Sequence, residues 1–175
     1  MIMNKKIASK LKYNVSKDFP KEGVTFIDFM PTFMDMKLLN EIAEDIKETA
    51  LTSNIEVVIA PESRGYILGT LVAHKLGADL LPIRKHGKLP GELILGSYTY
   101  DTEYSKATLD LPKCNVNGKN CLFIDDVFAL GGTYNASKTL VSLAGGNVLG
   151  GICLYDVGLT ETHEVQSYMN SNDLN

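Results

Sequence analysis

Two adjacent carboxylates, a pair of glycines and a hydroxyl carry the clearest chemistry in this chain. They are Asp125 and Asp126, then Ala129-Leu130-Gly131-Gly132-Thr133, directly after the apolar run at residues 121–124. The run has the length and content of a fully buried strand, and a helical pattern begins after Thr133. Free N–H groups at a helix start point outward and carry partial positive charge. Glycines let the backbone curl until successive N–H groups converge on one anion. The stretch therefore reads as a phosphate site. Asp125 and Asp126 would repel the phosphate itself, so they face sugar hydroxyls or Mg²⁺. The alternative is an ordinary strand-to-helix turn whose carboxylates cap the helix. Two aspartates at the end of a buried strand carry a desolvation cost that capping alone does not explain.

Positive charge is placed to meet such a ligand at two other points. Glu62-Ser63-Arg64-Gly65 is a polar turn after the apolar strand at residues 56–60. Ligands of open α/β sheets bind beyond the carboxyl ends of strands, and the planar donor fork of arginine suits phosphate groups. A surface arginine without that role would sit unfavourably there, because the following helix start is already positive. Arg84 then leads into a loop at residues 85–92 that adds Lys85, Lys88 and two glycines. On composition this is a solvated basic loop, yet it is the strongest local positive cluster in a chain of net charge −4.

The elements that must hold these groups follow from periodicity and breakers. Residues 1–17 read as a short amphipathic helix through Ile7, Leu11 and Val15. Residues 18–31 read as an ordered loop, interrupted by prolines and a glycine. Its Val24, Phe26 and Phe29 must pack on the core or on a flat heterocycle. Helices are predicted over residues 36–50 and over residues 67–76, the second closed by Gly77 as a C-cap. Residues 79–84 form a strand. Residues 93–100 and 104–111 are two extended segments around Asp101-Thr102-Glu103, predicting a mobile hairpin. A helix through Ala136, Leu140 and Leu143, a last strand at residues 147–156 and a polar, loosely ordered tail complete the chain.

At 175 residues the chain fits one domain, 1–175, able to bury roughly 70% of its unfolded surface. A net charge of −4 argues against a broad nucleic-acid-binding face. No apolar run reaches the length of a membrane span, and the first residues lack the apolar core of a secretory signal. Cys114, Cys121 and Cys153 are odd in number without metal-ligand spacing, and His74, His86 and His163 are scattered. Reduced thiols in a cytoplasmic protein without a histidine metal site are the simplest reading.

Five stretches together resemble the adenine phosphoribosyltransferases, within the type I phosphoribosyltransferase family. Residues 121–133 are similar to the phosphoribosyl-diphosphate (PRPP) signature, departing from its Ala-Thr-Gly-Gly-Thr at Leu130. Asp18-Phe19-Pro20-Lys21-Glu22-Gly23-Val24-Thr25-Phe26 resembles the family's hood, departing at Ile27, where Lys or Arg is common. Ala60-Pro61-Glu62-Ser63-Arg64-Gly65-Tyr66 resembles its diphosphate loop, which often includes a non-proline cis peptide. Arg84-Lys85-His86-Gly87-Lys88-Leu89-Pro90-Gly91 matches a specific marker in full. Glu103-Tyr104-Ser105-Lys106-Ala107 resembles the lid signature, with Ser105 for Gly and about two extra residues before Glu103.

The resemblance implies an α/β, type I phosphoribosyltransferase fold: a central, mainly parallel sheet flanked by helices, a small N-terminal hood (about 18–35) and a flexible lid hairpin (about 85–111). It implies purine salvage, adenine and PRPP giving AMP and diphosphate with Mg²⁺, by a cytoplasmic homodimer. Residues Ala129, Leu130, Gly131, Gly132 and Thr133 would hold the 5′-phosphate, and Asp125 and Asp126 the ribose. Arg64, Lys88 and Arg84 would grip the diphosphate, with Mg²⁺ held through PRPP and waters rather than by a protein cage. Thr25, Phe26 and Ile27 would line the base pocket, partly through backbone groups, and Glu103 would be the catalytic acid/base. Two rival readings remain: a phosphoribosyltransferase for xanthine, guanine or hypoxanthine, and a non-catalytic PRPP or nucleotide sensor on the same fold.

Overall fold

The computed structural model describes residues 3–49, 52–102, 105–160 and 163–174. In chain order the elements are α1 (Lys5–Ala8), β1 (Asn14–Lys17), β2 (Thr25–Asp28), α2 (Met30–Phe33), α3 (Met36–Lys47), β3 (Val57–Pro61), α4 (Gly65–Leu76), β4 (Asp79–Lys85), β5 (Ile94–Asp101), β6 (Lys106–Pro112), β7 (Asn120–Ile124), β8 (Val127–Phe128), α5 (Gly132–Leu143), β9 (Asn147–Asp156) and β10 (Val165–Asn170). The main sheet runs β10-β9-β7-β3-β4-β6-β5, with β8 paired to β9. From β10 to β4 all neighbours are parallel, and β4-β6-β5 continues antiparallel. The chain leaves β3 for β4 on one side and later returns to β7 on the other. A crevice therefore opens beyond the carboxyl ends of β3 and β7, where open α/β sheets bind ligands.

Burial on both faces explains the apolar strands. Val58, Leu122, Ile124, Ile152 and Leu154 join Leu39, Ile42, Leu68 and Val72 of α3 and α4 in one core cluster. Their strand neighbours Val57, Ile59, Cys121, Phe123 and Cys153 join Ala136, Leu140 and Val141 of α5 in the other. Alternation sends successive residues to opposite faces, and because both faces are covered the strands read as unbroken apolar runs. Gly77 ends α4 in a left-handed conformation.

The two ends of the chain correct the sequence-based expectation. Among the described residues of 1–17, only Lys5–Ala8 is helical. Ile7 and Leu11 are buried, but Val15 is 51% exposed. It lies on β1, which pairs antiparallel with β2 at Val15↔Ile27. The predicted loop at 18–31 thus carries a strand and the start of α2, and the tail forms β10, parallel to β9, burying Val165, Tyr168 and Met169.

Candidate active site

The crevice is a cleft of about 960 Å³. It is walled by the loops after β3 and β7, by the hairpin β1–β2 with its connection, by Lys85, and by Tyr100 to Thr102 at the end of β5. Residues predicted from separate stretches of sequence are thereby brought together: Thr25, Phe26, Ile27, Arg64, Asp125, Asp126 and the whole of 129–133 border one space.

The phosphate-type loop has the predicted shape. Gly131 adopts φ +77 and caps α5, which starts at Gly132. The left-handed conformation admits glycine at little cost. A Cβ on Gly131 would also lie 2.9 Å from Phe128 Cζ. The first N–H groups of α5 have no partner within the helix and face the cleft end, a site for an anion. Leu130 carries its side chain outward at 40% exposure. Thr133 Oγ1 lies 3.1 Å from Tyr100 Oη of β5.

Asp125 and Asp126 sit at the mouth of β7. Asp125 Oδ1 accepts from the Asp126 N–H at 2.9 Å, and Asp126 Oδ1 accepts from the Val127 N–H at 3.0 Å. Asp126 is 3% exposed, and its Oδ2 stands 2.9 Å from Arg64 Nε. That contact is a charge pair without hydrogen-bond alignment, leaving Oδ2 without an aligned donor. Burial, and then the neighbouring charge of Asp126, push the Asp125 carboxyl well above the usual range. Burial also raises Asp126, with the Arg64 guanidinium pulling it back. Gly65 is needed beside them, since a Cβ there would lie 2.7 Å from Pro61 Cδ and 3.1 Å from Asp125 Oδ1. The Glu62–Ser63 peptide in this loop is cis.

The hairpin side offers a flat apolar surface. Phe26 lies under the Arg64 guanidinium, 5.2 Å from Cζ to the ring centroid, and meets Phe19 edge-on at 5.2 Å. Thr25 is exposed at the rim. Ile27 borders the cleft, but its side chain is only 4% exposed and belongs to the core cluster. The alternation of β2 sends Phe26 and Ile27 to opposite sides, so Phe26 is the side chain available to a planar ligand.

The basic loop divides. Arg84 Nε is held by Glu62 Oε2 at 3.1 Å, and the same oxygen accepts from the Lys85 N–H at 3.0 Å. Lys85 borders the cleft, whereas Lys88 is exposed on the loop beyond it. Glu103 lies outside the described residues. Among the described residues no group of three or more His, Cys, Asp or Glu could hold a metal ion, and no helix is long and apolar enough to cross a membrane.

Lys85 and Tyr100 had no assigned role on sequence. The signal for Tyr100 was alternation in β5: Ile94, Gly96 and Tyr100 are its less exposed positions. A Cβ at Gly96 would meet Leu140 of α5, and Tyr100 packs against the α5 core cluster.

A parallel sheet with its switch point at an acid pair and a glycine-rich phosphate loop defines a phosphoribosyltransferase, and the phosphoribosyl transferase domain family matches residues 35–172. The adenine phosphoribosyltransferase of Malacoplasma penetrans (strain HF-2) is 40% identical over 152 residues, 86% of this chain and 87% of the relative. The crystal structure of the adenine phosphoribosyltransferase from Rhodothermus marinus shares 34% identity at a TM-score of 0.84, covering 95% of this chain and 99% of that one. That of Giardia lamblia, in complex with 9-deazaadenine, shares 29% at a TM-score of 0.84, covering 97% and 98%. The chain belongs to the adenine phosphoribosyltransferase family.

Proposed function

We propose that this chain transfers the phosphoribosyl group of PRPP to adenine, giving AMP and diphosphate, in purine salvage. The observation that carries this reading is the convergence on one cleft of an anion loop, an acid pair, an arginine and a half-buried phenylalanine ring. In this reading residues 129–133 bind the 5′-phosphate, chiefly through backbone N–H groups that Leu130 retains. Asp125 and Asp126 accept from the ribose hydroxyls, and Arg64 and Lys85 meet the diphosphate. Arg84 acts by fixing Glu62 and the loop, and Lys88 reaches the diphosphate only from the loop's outer side. Phe26 stacks on adenine, with Thr25 and the Ile27 backbone at its edge.

The C1–oxygen bond to diphosphate breaks as adenine N9 bonds to C1, through a state resembling a ribosyl cation. Such a reaction needs positioning and electrostatics more than a strong nucleophile. By the family resemblance Glu103 takes the proton leaving the imidazole ring. The donor set fits a hard cation brought by its substrate, since the buried Asp126 Oδ2 lacks an aligned donor beside Asp125. Mg²⁺ would be held by Asp125 or Asp126 with PRPP and waters, neutralising the departing diphosphate. The free state of Cys114, Cys121 and Cys153 supports a cytoplasmic, reducing location. A homodimer is the assembly proposed by family resemblance.

The test is AMP formation from PRPP, Mg²⁺ and adenine, run beside guanine, hypoxanthine and xanthine. Turnover with adenine alone supports the reading. Turnover with another base moves the specificity, and PRPP binding without turnover points to a sensor.

A further inference from the structure

We infer that Tyr100, on the hairpin β5–β6, is a second hydroxyl donor to the 5′-phosphate, facing the loop from the opposite wall. The inference rests on the proposed reaction and adds a binding residue to it. Within residues 129–133 the only side-chain donor is Thr133, and none of the five is cationic. The acids Asp125 and Asp126 stand close by and oppose a phosphate, so each neutral donor aimed at the loop counts. Tyr100 Oη lies 3.1 Å from Thr133 Oγ1, and either oxygen can be the donor. A hydroxyl pair of this kind uses one of its two protons internally. An anion between them accepts both, the arrangement that charge-assisted hydrogen bonding favours.

The position of Tyr100 is held rather than incidental. Its ring packs on Gly132, where an added Cβ would stand 2.5 Å from Tyr100 Cδ2 and 2.8 Å from the Asp101 carbonyl oxygen. The absent Cβ is what lets the hairpin lie directly on the start of α5. Tyr100 also borders the cleft together with the loop it faces. The ring is partly buried against the α5 core cluster, which limits its rotamers and aims the hydroxyl at Thr133.

The test is Tyr100→Phe, with ribose 5-phosphate and diphosphate each titrated by calorimetry against the substituted and unsubstituted chains. The two probes separate the 5′-phosphate end from the diphosphate end without requiring turnover. A lost bond to a charged acceptor corresponds to about tenfold or more in affinity. Tyr100→Phe is expected to weaken ribose 5-phosphate by that factor and to leave diphosphate unchanged, with an unaltered Tm. Equal weakening of both ligands would make Tyr100 a structural contact of the hairpin and overturn the inference. Unchanged or tighter ribose 5-phosphate binding would overturn it too, making the hydroxyl a plug that the phosphate displaces. If the unsubstituted chain fails to bind ribose 5-phosphate at all, the phosphoribosyltransferase reading falls, and this inference with it.

Discussion

Arg64 Nε stands 2.9 Å from Asp126 Oδ2 and ties the loop after β3 to the loop after β7 across the switch point of the sheet. The same guanidinium covers Phe26, so one side chain touches the acid pair and the base-side ring together. Arg64→Ala is expected to lose at least a hundredfold in kcat/KM for PRPP, because it removes the diphosphate contact and frees the Phe26 face. It also strands the buried Asp126 charge. With Arg64 about a third exposed, solvent softens that penalty to about 1–3 kcal/mol. Arg64→Lys restores the charge without the planar fork and should recover only part of the rate. Full activity in Arg64→Ala would contradict this placement.

Asp125 gives a pH-dependent stability whose sign is fixed by its environment. Burial raises its folded pKa above the ordinary 3.8. Below that value both folded and unfolded chains hold the proton and nothing is lost. As pH rises, the unfolded chain ionises first, so stability falls until the folded carboxyl also ionises. Asp125→Asn keeps the Oδ1 acceptor for the Asp126 N–H and removes the titration. Thermal melts from pH 3 to 8 should show the variant matching the unsubstituted chain at the acid end and exceeding it increasingly above about pH 4. A variant less stable at pH 7 would overturn the account.

Much of this site was legible because its signals are local. The run at residues 121–124, its acids, Gly131 and the helix start lie within thirteen residues, and each has a backbone reason to be where it is. The same holds for Arg64 at the end of β3. What escaped depends on pairing between distant segments. Val15 continues the four-residue spacing of Ile7 and Leu11, yet its strand partner is Ile27 of β2. That pairing outweighs a short helical period. In the tail, the buried Val165, Tyr168 and Met169 are separated by Gln166 and Ser167 and followed by Asn170, so β10 looks polar until β9 is beside it. Ile27 borders the cleft with its neighbours, but strand alternation turns its side chain into the core and leaves its backbone for the cleft, a division that shows only once β2 is paired.

Phe26→Ala tests the base side. Stacking of a base on an aromatic ring contributes about 1–3 kcal/mol, or roughly 5- to 150-fold. The KM for adenine should rise in that range while the KM for PRPP changes much less. A larger effect on PRPP would place the base elsewhere.

Lys85 and Lys88 separate two accounts of the basic loop. Lys85 borders the cleft and Lys88 does not, although both are exposed. Lys85→Ala is expected to raise the KM for PRPP by about tenfold at low salt, with a smaller effect from Lys88→Ala. Both effects should shrink as ionic strength rises, since exposed charges are screened. The reverse ranking would mean that the loop closes over the diphosphate with Lys88 inward.

The central claim is that the cleft between β3 and β7 is where PRPP reacts with adenine. Its most direct test is adenine-dependent diphosphate release from PRPP and Mg²⁺, measured in parallel for the unsubstituted chain and for Asp125→Asn/Asp126→Asn. The account predicts turnover by the first and a loss of at least a hundredfold in the second, with its fold intact by circular dichroism. Turnover that survives both substitutions, or none from the unsubstituted chain, would contradict it.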